Sequence, residues 1–234
     1  LGRLEPAFQD MTRAIELKPT DPQLYRARSL VAEELDKLGD AIRDVRKALE
    51  LDPKYSEAQV ALSYLYFRLE DNDGLITASE RAIAIDPNEP MTYNNRAYAL
   101  ILKGSLGEAK KDIAKALELD PEHTFSLNNL ALIAYLEGEN DKALKTVERV
   151  IGLDPKLPEA YLNRGYVLRK QGKVKEAIAD FTKAISLRPW LRRAYDARAE
   201  AYDEIGDKEK AESDRQKSEE LFEKILEWRR EVAR

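Results

Sequence analysis

The sequence contains no cysteine and a single histidine, His123, among its 234 residues. The absence of cysteine excludes disulfide bonds, thiol catalysis and cysteine-based metal sites. One histidine cannot form a histidine-based catalytic or metal cluster, because such sites require several converging side chains. We therefore expect no metal, no cofactor and no enzymatic activity within this chain.

Long apolar runs and basic stripes are also missing. No stretch of about 18 apolar residues is present, so we expect no membrane insertion. The net charge is −5, and the basic residues are not clustered, which argues against a nucleic-acid partner. The composition leaves the compartment unknown, with the cytoplasm slightly favoured and the periplasm as the alternative.

The prolines carry the strongest pattern. Six of the ten recur at intervals of 34 residues, at Pro19, Pro53, Pro87, Pro121, Pro155 and Pro189. An insertion inside any interval would shift the following prolines out of phase. The strict period therefore indicates one structural unit that is copied and stacked.

Other columns align once the prolines are placed at position 32 of a unit. Six full units result, at residues 22–55, 56–89, 90–123, 124–157, 158–191 and 192–225. Position 4 is mostly aromatic, with Tyr25, Gln59, Tyr93, Leu127, Tyr161 and Tyr195. Positions 8, 20 and 27 are mostly small, which allows two helices to cross closely.

Glycine occupies position 15 of four units, as Gly104, Gly138, Gly172 and Gly206. A left-handed glycine ends one helix and leads into the next. The residue before each proline is disfavoured in the helical region, so the second helix ends there. Each unit is therefore predicted to be a hairpin of two helices. In these columns the chain resembles the tetratricopeptide repeat (TPR) family, whose unit carries a large residue at 4, small residues at 8, 20 and 27, and proline at 32.

The resemblance covers almost the whole chain. It implies an all-α, right-handed superhelical solenoid of antiparallel helix hairpins, forming one continuous domain. The first two units depart from the pattern, because Asp36 and Glu70 replace the turn glycine. We expect looser packing there and a slightly longer or shifted turn, using Gly39 and Gly74 a few residues later.

The N-terminal residues 1–21 match the second half of a unit, with Gly2 as the turn glycine. A lone half repeat predicts that Phe8, Met11 and Ile15 are partly uncovered. We expect the chain to be a fragment of a longer protein, and the alternative is that a partner chain supplies the missing helix. The open half repeat could then support self-association.

The last helix is predicted to continue past its unit, because Glu223 stands where proline is expected and residues 226–234 contain no helix breaker. Its apolar stripe is Leu221, Ile225, Trp228 and Val232. This spacing favours a long capping helix that covers the last repeat, and docking of a partner helix is the alternative.

The resemblance implies that the first helix of each hairpin lines a concave groove. Five amides fall at its positions 5 and 6: Asn94, Asn95, Asn128, Asn129 and Asn163. Apolar and aromatic residues fall at positions 2, 9 and 12: Tyr64, Phe67, Tyr98, Ile101, Phe125, Leu132, Tyr135 and Tyr166. Arg169 and Lys170 follow at positions 12 and 13 of the fifth unit.

A row of amides can pair with the backbone of an extended peptide, since each carries a donor and an acceptor. The alternatives are that the asparagines bind water or cap neighbouring groups, and that the aromatic residues pack between repeats. Arg169 with Asp203 and Lys170 with Glu204 could likewise pair across adjacent repeats.

The predicted function is a protein–protein interaction scaffold that binds an extended peptide or partner segment in the groove. The alternatives are a self-assembling structural protein and a substrate-recruiting module of a larger enzyme. The partner's identity does not follow from the sequence.

Overall fold

The computed structural model describes residues 3–233, so the prediction for Gly2 lies outside it. Helices and short connections make up these residues, with no strand among them. The prediction of an all-helical array of antiparallel hairpins with a long final helix is confirmed. The helices are α1 (Leu4–Leu17), α2 (Pro22–Glu34), α3 (Leu38–Leu51), α4 (Ser56–Arg68), α5 (Asn72–Ile85), α6 (Pro90–Leu102), α7 (Leu106–Leu119), α8 (Thr124–Leu136), α9 (Asn140–Leu153), α10 (Pro158–Lys170), α11 (Val174–Leu187), α12 (Arg192–Glu204) and α13 (Lys208–Val232).

The helices fall into two compact units. The first unit contains the described residues up to Lys103 together with those from Ile225 onward, and the second contains residues 104–224. In the first unit α2 packs on α3 and α4 on α5. In the second unit α8 packs on α9 and α10 on α11.

The prolines act at both ends of the helices. Pro22 is the first residue of α2, where an amide N–H would have no partner within the helix, so its absence in proline costs nothing. The Asp21 side chain caps the helix by accepting a hydrogen bond from the Gln23 amide. At the other end, Asp52 leaves α3 with an extended backbone, as the residue before Pro53 must. In this first hairpin, local chemistry therefore explains where α2 begins and where α3 ends.

The turns of the first two repeats are neither longer nor shifted, so that expectation was wrong. Asp36 and Glu70 adopt the left-handed conformation themselves, with φ of 60° and 51°. The Lys37 amide donates to Ala32 O at 2.8 Å, and the Asp71 amide donates to Tyr66 O at 3.0 Å. These bonds define the same helix-ending motif that glycine makes in the later repeats. A side chain in this conformation costs roughly 1 to 2 kcal/mol, which the surroundings must offset.

The tyrosines at position 4 tie four of the six repeats to the proline before each of them. The hydroxyl groups donate to proline carbonyl oxygens at 3.0 to 3.1 Å, in the pairs Tyr25 to Pro19, Tyr93 to Pro87, Tyr161 to Pro155 and Tyr195 to Pro189. Tyrosine at position 4 therefore does more than fill space, because its hydroxyl group supplies a hydrogen bond to a backbone carbonyl in the connection between repeats.

The end of α13, from Ile225 onward, belongs to the first unit. Trp228 and Val232 pack on the core formed by residues of the first two repeats, including Leu38, Ile42 and Leu65. The apolar stripe was predicted to cover the last repeat, but its final two members cover residues of the first two repeats. The spacing of the stripe correctly identified an apolar helix face, but spacing alone does not specify which surface that face covers.

The N-terminal helix α1 is partly covered. Ile15 is buried, whereas Phe8 and Met11 are half-buried. The Phe8 ring lies 5.1 Å from Lys37 Nζ and 5.5 Å from the guanidinium carbon of Arg28. Leu17 is 79% exposed.

Candidate functional site

Paired charges hold the two helices of several hairpins in register. Arg164 donates from Nε and Nη2 to the two carboxylate oxygens of Asp180, each at 2.7 Å. The same two-bond pairing joins Arg28 to Asp44 and Arg198 to Asp214. Each of these aspartates is buried. The hydrogen bonds to Asp180 raise the pKa of Arg164 above its usual value, although burial opposes the charge.

These pairs were missed from the sequence, although a signal exists. Arginine at position 7 and aspartate at position 23 recur 16 residues apart in the first, third, fifth and sixth units. The second unit carries Leu62 and Ala78 at the same two positions. The pairs orient the first helix of the hairpin, which carries the predicted binding residues.

Three aromatic residues of the first unit form a cluster. Tyr64 stacks on Phe67 with ring centroids 6.4 Å apart, and Phe67 meets Tyr98 at 5.3 Å with a tilt of 59°. Tyr64 is 41% exposed, while Phe67 and Tyr98 are half-buried against the core. Ile101 is buried, so its side chain belongs to the core more than to a surface.

A second aromatic surface lies in the second unit. Tyr135 and Tyr166 stack with centroids 5.7 Å apart and an angle of 17° between the rings. Lys170 Nζ lies 5.2 Å from the centre of the Tyr135 ring, within the range of a cation–π contact. Tyr166 also meets the buried Phe181 edge-on at 5.7 Å. We call Tyr135, Tyr166 and Lys170 the tyrosine platform.

The predicted asparagines are mostly buried. Asn163 Nδ2 donates to Asn128 Oδ1 at 2.9 Å and to Asn128 O at 3.3 Å. Asn94 Nδ2 contacts Met91 Sδ at 3.8 Å and Asn95 Oδ1 at 3.4 Å. Asn129 is also buried, and Asn95 is half-buried. Amides of adjacent repeats therefore already bond to each other where Asn163 meets Asn128.

The charged groove residues pair differently from the expectation. Arg169 binds Glu204, with Nε to Oε1 at 2.7 Å, and also binds Glu200. Asp203, the expected partner, instead pairs with Arg215. Burial opposes the charge of Arg169, but the bonds to Glu204 and Glu200 outweigh it and raise the pKa of its guanidinium. Position in the repeat correctly placed Arg169 beside the acidic residues of the sixth repeat, but it did not specify which of them Arg169 binds.

The two remaining predicted residues differ in exposure. Leu132 is buried in the second unit. Phe125 is half-buried, and its ring lies 5.8 Å from that of His123. His123 shares a hydrogen bond of 2.8 Å with the Ser126 hydroxyl at the start of α8, so its ring has a local role at the helix end.

Two other kinds of feature, a metal site and a membrane-spanning helix, are absent from the part of the chain that is described. Between residues 3 and 233 no three or more histidine, aspartate or glutamate side chains are grouped so as to hold a metal ion. No helix within the same residues is both long and apolar enough to span a membrane. The two aromatic surfaces bring together several of the residues that the sequence predicted for binding.

Comparisons with known proteins identify the repeats. Models described as tetratricopeptide repeats match residues 26–90, 92–123, 131–172 and 158–191. A comparison with curated proteins found no match.

Several solved structures are similar to the chain. The crystal structure of the APC/C hetero-tetramer Cut9–Hcn1 has a TM-score of 0.75 at 16% identity and covers all of this chain, which spans 46% of the Cut9–Hcn1 chain. A tetratricopeptide repeat protein from Parabacteroides merdae has a TM-score of 0.73 at 20% identity, with coverage of 100% and 93%. YrrB, described as a TPR protein with an unusual peptide-binding site, has a TM-score of 0.52 at 23% identity, with coverage of 79% and 95%. At these identities the likeness shows the fold alone.

Proposed function

Because the chain belongs to the tetratricopeptide repeat family, whose members generally mediate protein–protein interactions, we propose that it is a scaffold that binds an extended partner segment. Proteins built from these repeats are typically non-catalytic, and we propose no catalytic role for the described residues. YrrB shares the fold and has a peptide-binding site, which is consistent with this proposal.

The tyrosine platform is the observation that carries the proposal. Stacked rings at 5.7 Å offer a broad apolar face, and their hydroxyl groups can accept or donate hydrogen bonds. Lys170 adds a positive charge beside Tyr135, where an acidic side chain or a carboxylate of a partner could bind. Aromatic side chains of this kind dominate the energetics of protein interfaces.

The asparagines remain a prediction as direct peptide contacts. A peptide backbone would have to compete with the existing bond from Asn163 to Asn128. We propose that these two amides chiefly fix the register of α8 against α10, which positions Tyr135 and Tyr166. Asn95, the half-buried member of the set, is the better candidate for direct contact.

The test is a selection of random 12-residue peptides displayed on phage against the immobilised full chain. Selected peptides are then synthesised and titrated against the chain and its variants by fluorescence anisotropy. Tyr135→Ala removes a stacking partner and should weaken binding about tenfold, as expected for an aromatic contact of about 1.5 kcal/mol. Tyr202→Ala is the matched control, because Tyr202 is also half-buried and also lies near cationic side chains.

The proposal fails if no peptide is selected, or if the selected peptides bind Tyr135→Ala as tightly as the original chain. Circular dichroism of each variant establishes that the helices remain folded. A loss that appears equally in Tyr202→Ala would also contradict a specific role for the tyrosine platform.

A further inference from the structure

The last residues of α13 are seated on the turns of the first two repeats. We call residues 225–233 the C-terminal segment, and residues 35–39 with 68–71 the turn edge; both belong to the first unit. Arg229 Nε donates to Leu69 O at 2.8 Å, and its Nη2 donates to Glu70 O. The last carbonyl groups of a helix have no partner within it and carry the negative end of the helix dipole. The guanidinium of Arg229 therefore complements the end of α4.

Trp228 adds an apolar and a cation–π contact. The guanidinium carbon of Arg68 lies 5.8 Å from the Trp228 ring, and Arg68 itself bonds to Asp36 at 3.0 Å. Trp228 and Val232 both pack on the first-unit core. One helix face thus presents an aromatic residue, an arginine and, four residues after the aromatic, an aliphatic residue.

Gly39 makes room for this segment. Gly39 is buried, and a Cβ atom added there would lie 2.8 Å from Cβ of Glu231. Real Cβ atoms do not approach so closely, so the contact requires glycine at position 39. Close packing against Glu231 therefore explains why glycine stands at position 39, in the first turn of α3, although its φ is not positive.

The turn edge also differs from the turns of the other repeats. Its left-handed residues are Asp36 and Glu70, whereas Gly104 and Gly138 at the equivalent position have no atom within 4 Å of an added Cβ. Asp36 binds Arg68, and the Glu70 carbonyl binds Arg229. The two repeats that tolerate a strained turn residue are therefore the two whose turns the C-terminal segment contacts.

We propose that the turn edge is a binding site for an amphipathic helix that carries a tryptophan, an arginine directly after it and an aliphatic residue four positions after the tryptophan. The C-terminal segment is its built-in occupant, and a partner helix of this chemistry binds by displacing it. This site is separate from the tyrosine platform, so either proposal can fail without the other.

The tethered occupant sets the affinity that a partner needs. A segment linked within the chain competes at an effective concentration on the order of millimolar. A free helix at micromolar concentration should therefore bind weakly until the C-terminal segment is released.

The test uses the full chain and a fluorescein-labelled synthetic peptide with the sequence of residues 221–234. Trp228→Ala with Arg229→Ala weakens the tethered occupant but leaves the turn edge intact. The peptide should bind this double variant at least tenfold more tightly than the original chain. Arg230→Ala is the matched control, since Arg230 is an exposed neighbour on the same helix, and it should behave as the original chain.

A variant on the receptor side completes the test. Gly39→Leu, added to the double variant, should abolish peptide binding because its side chain occupies the space of Glu231. If the double variant does not fold, Arg229→Gln alone carries the measurement. Equal binding to the original chain and the released variant, or no binding to either, would overturn the proposal. A dimer of the original chain in light scattering, with exchanged C-terminal segments, would assign the site to a second copy instead.

Discussion

Replacement of glycine by alanine should change the stability in opposite directions at Gly165 and at Gly152. Gly165 lies in α10, where an added Cβ would be 2.7 Å from Cδ1 of Phe181 in α11. Phe181 is fully buried and is held edge-on against Tyr166, so its ring cannot simply move away. Overpacking of this kind costs roughly 1 to 3 kcal/mol, while alanine gains about 0.5 to 1 kcal/mol over glycine in a helix. Gly165→Ala should therefore lose about 1 kcal/mol of stability.

Gly152→Ala is the matched control. Gly152 also lies in a helix, α9, but no atom lies within 4 Å of an added Cβ. The helix gain then stands alone, and the variant should be more stable by about 0.5 to 1 kcal/mol. Urea unfolding monitored by circular dichroism measures both midpoints, and an unchanged m-value shows that the comparison is valid.

Local measurements separate packing from global effects. In a repeat array the stability is transmitted mainly between neighbours, so the loss in Gly165→Ala should appear first in amide exchange of α10 and α11. A gain of stability in both variants would refute the packing argument. It would mean that helix propensity alone governs position 8, and that the close approach to Phe181 relaxes freely.

Two further predictions concern charged groups. Arg164→Leu leaves Asp180 buried without its partner and should lower the free energy of unfolding in urea by about 1 to 3 kcal/mol. Adding Asp180→Ala reproduces the apolar pair of the second repeat and should recover most of the lost stability. A double variant as unstable as Arg164→Leu alone would contradict this prediction. Burial raises the pKa of Glu33, so the folded state binds its proton more tightly and the contribution of Glu33 to stability falls as the pH rises above about 4.5, its ordinary value. Glu33→Gln should therefore lessen the decline of the urea midpoint above about pH 4.5, and the same pH dependence of the midpoint in both proteins would disprove the assignment.

The repeat pattern by itself determined the helix hairpins. The 34-residue spacing, the small residues at the helix crossings and the terminating prolines act over one or two helices, so their effect can be read along the chain. The turn without glycine in the first repeat follows the same local rule, because Asp36 adopts the left-handed conformation that glycine adopts in later repeats. A turn needs a backbone conformation more than it needs a particular residue.

The tertiary structure alone decided which side chains meet. Asn163 points its amide at Asn128 and is buried, although both stand in columns that the repeat pattern assigns to the groove. Arg229 binds the carbonyl of Leu69, 160 residues earlier, and no local spacing encodes that contact. Periodicity states which face of a helix is apolar or amide-bearing. The partner of that face depends on how distant helices pack, because burial and hydrogen-bond satisfaction are settled by the whole set of neighbours.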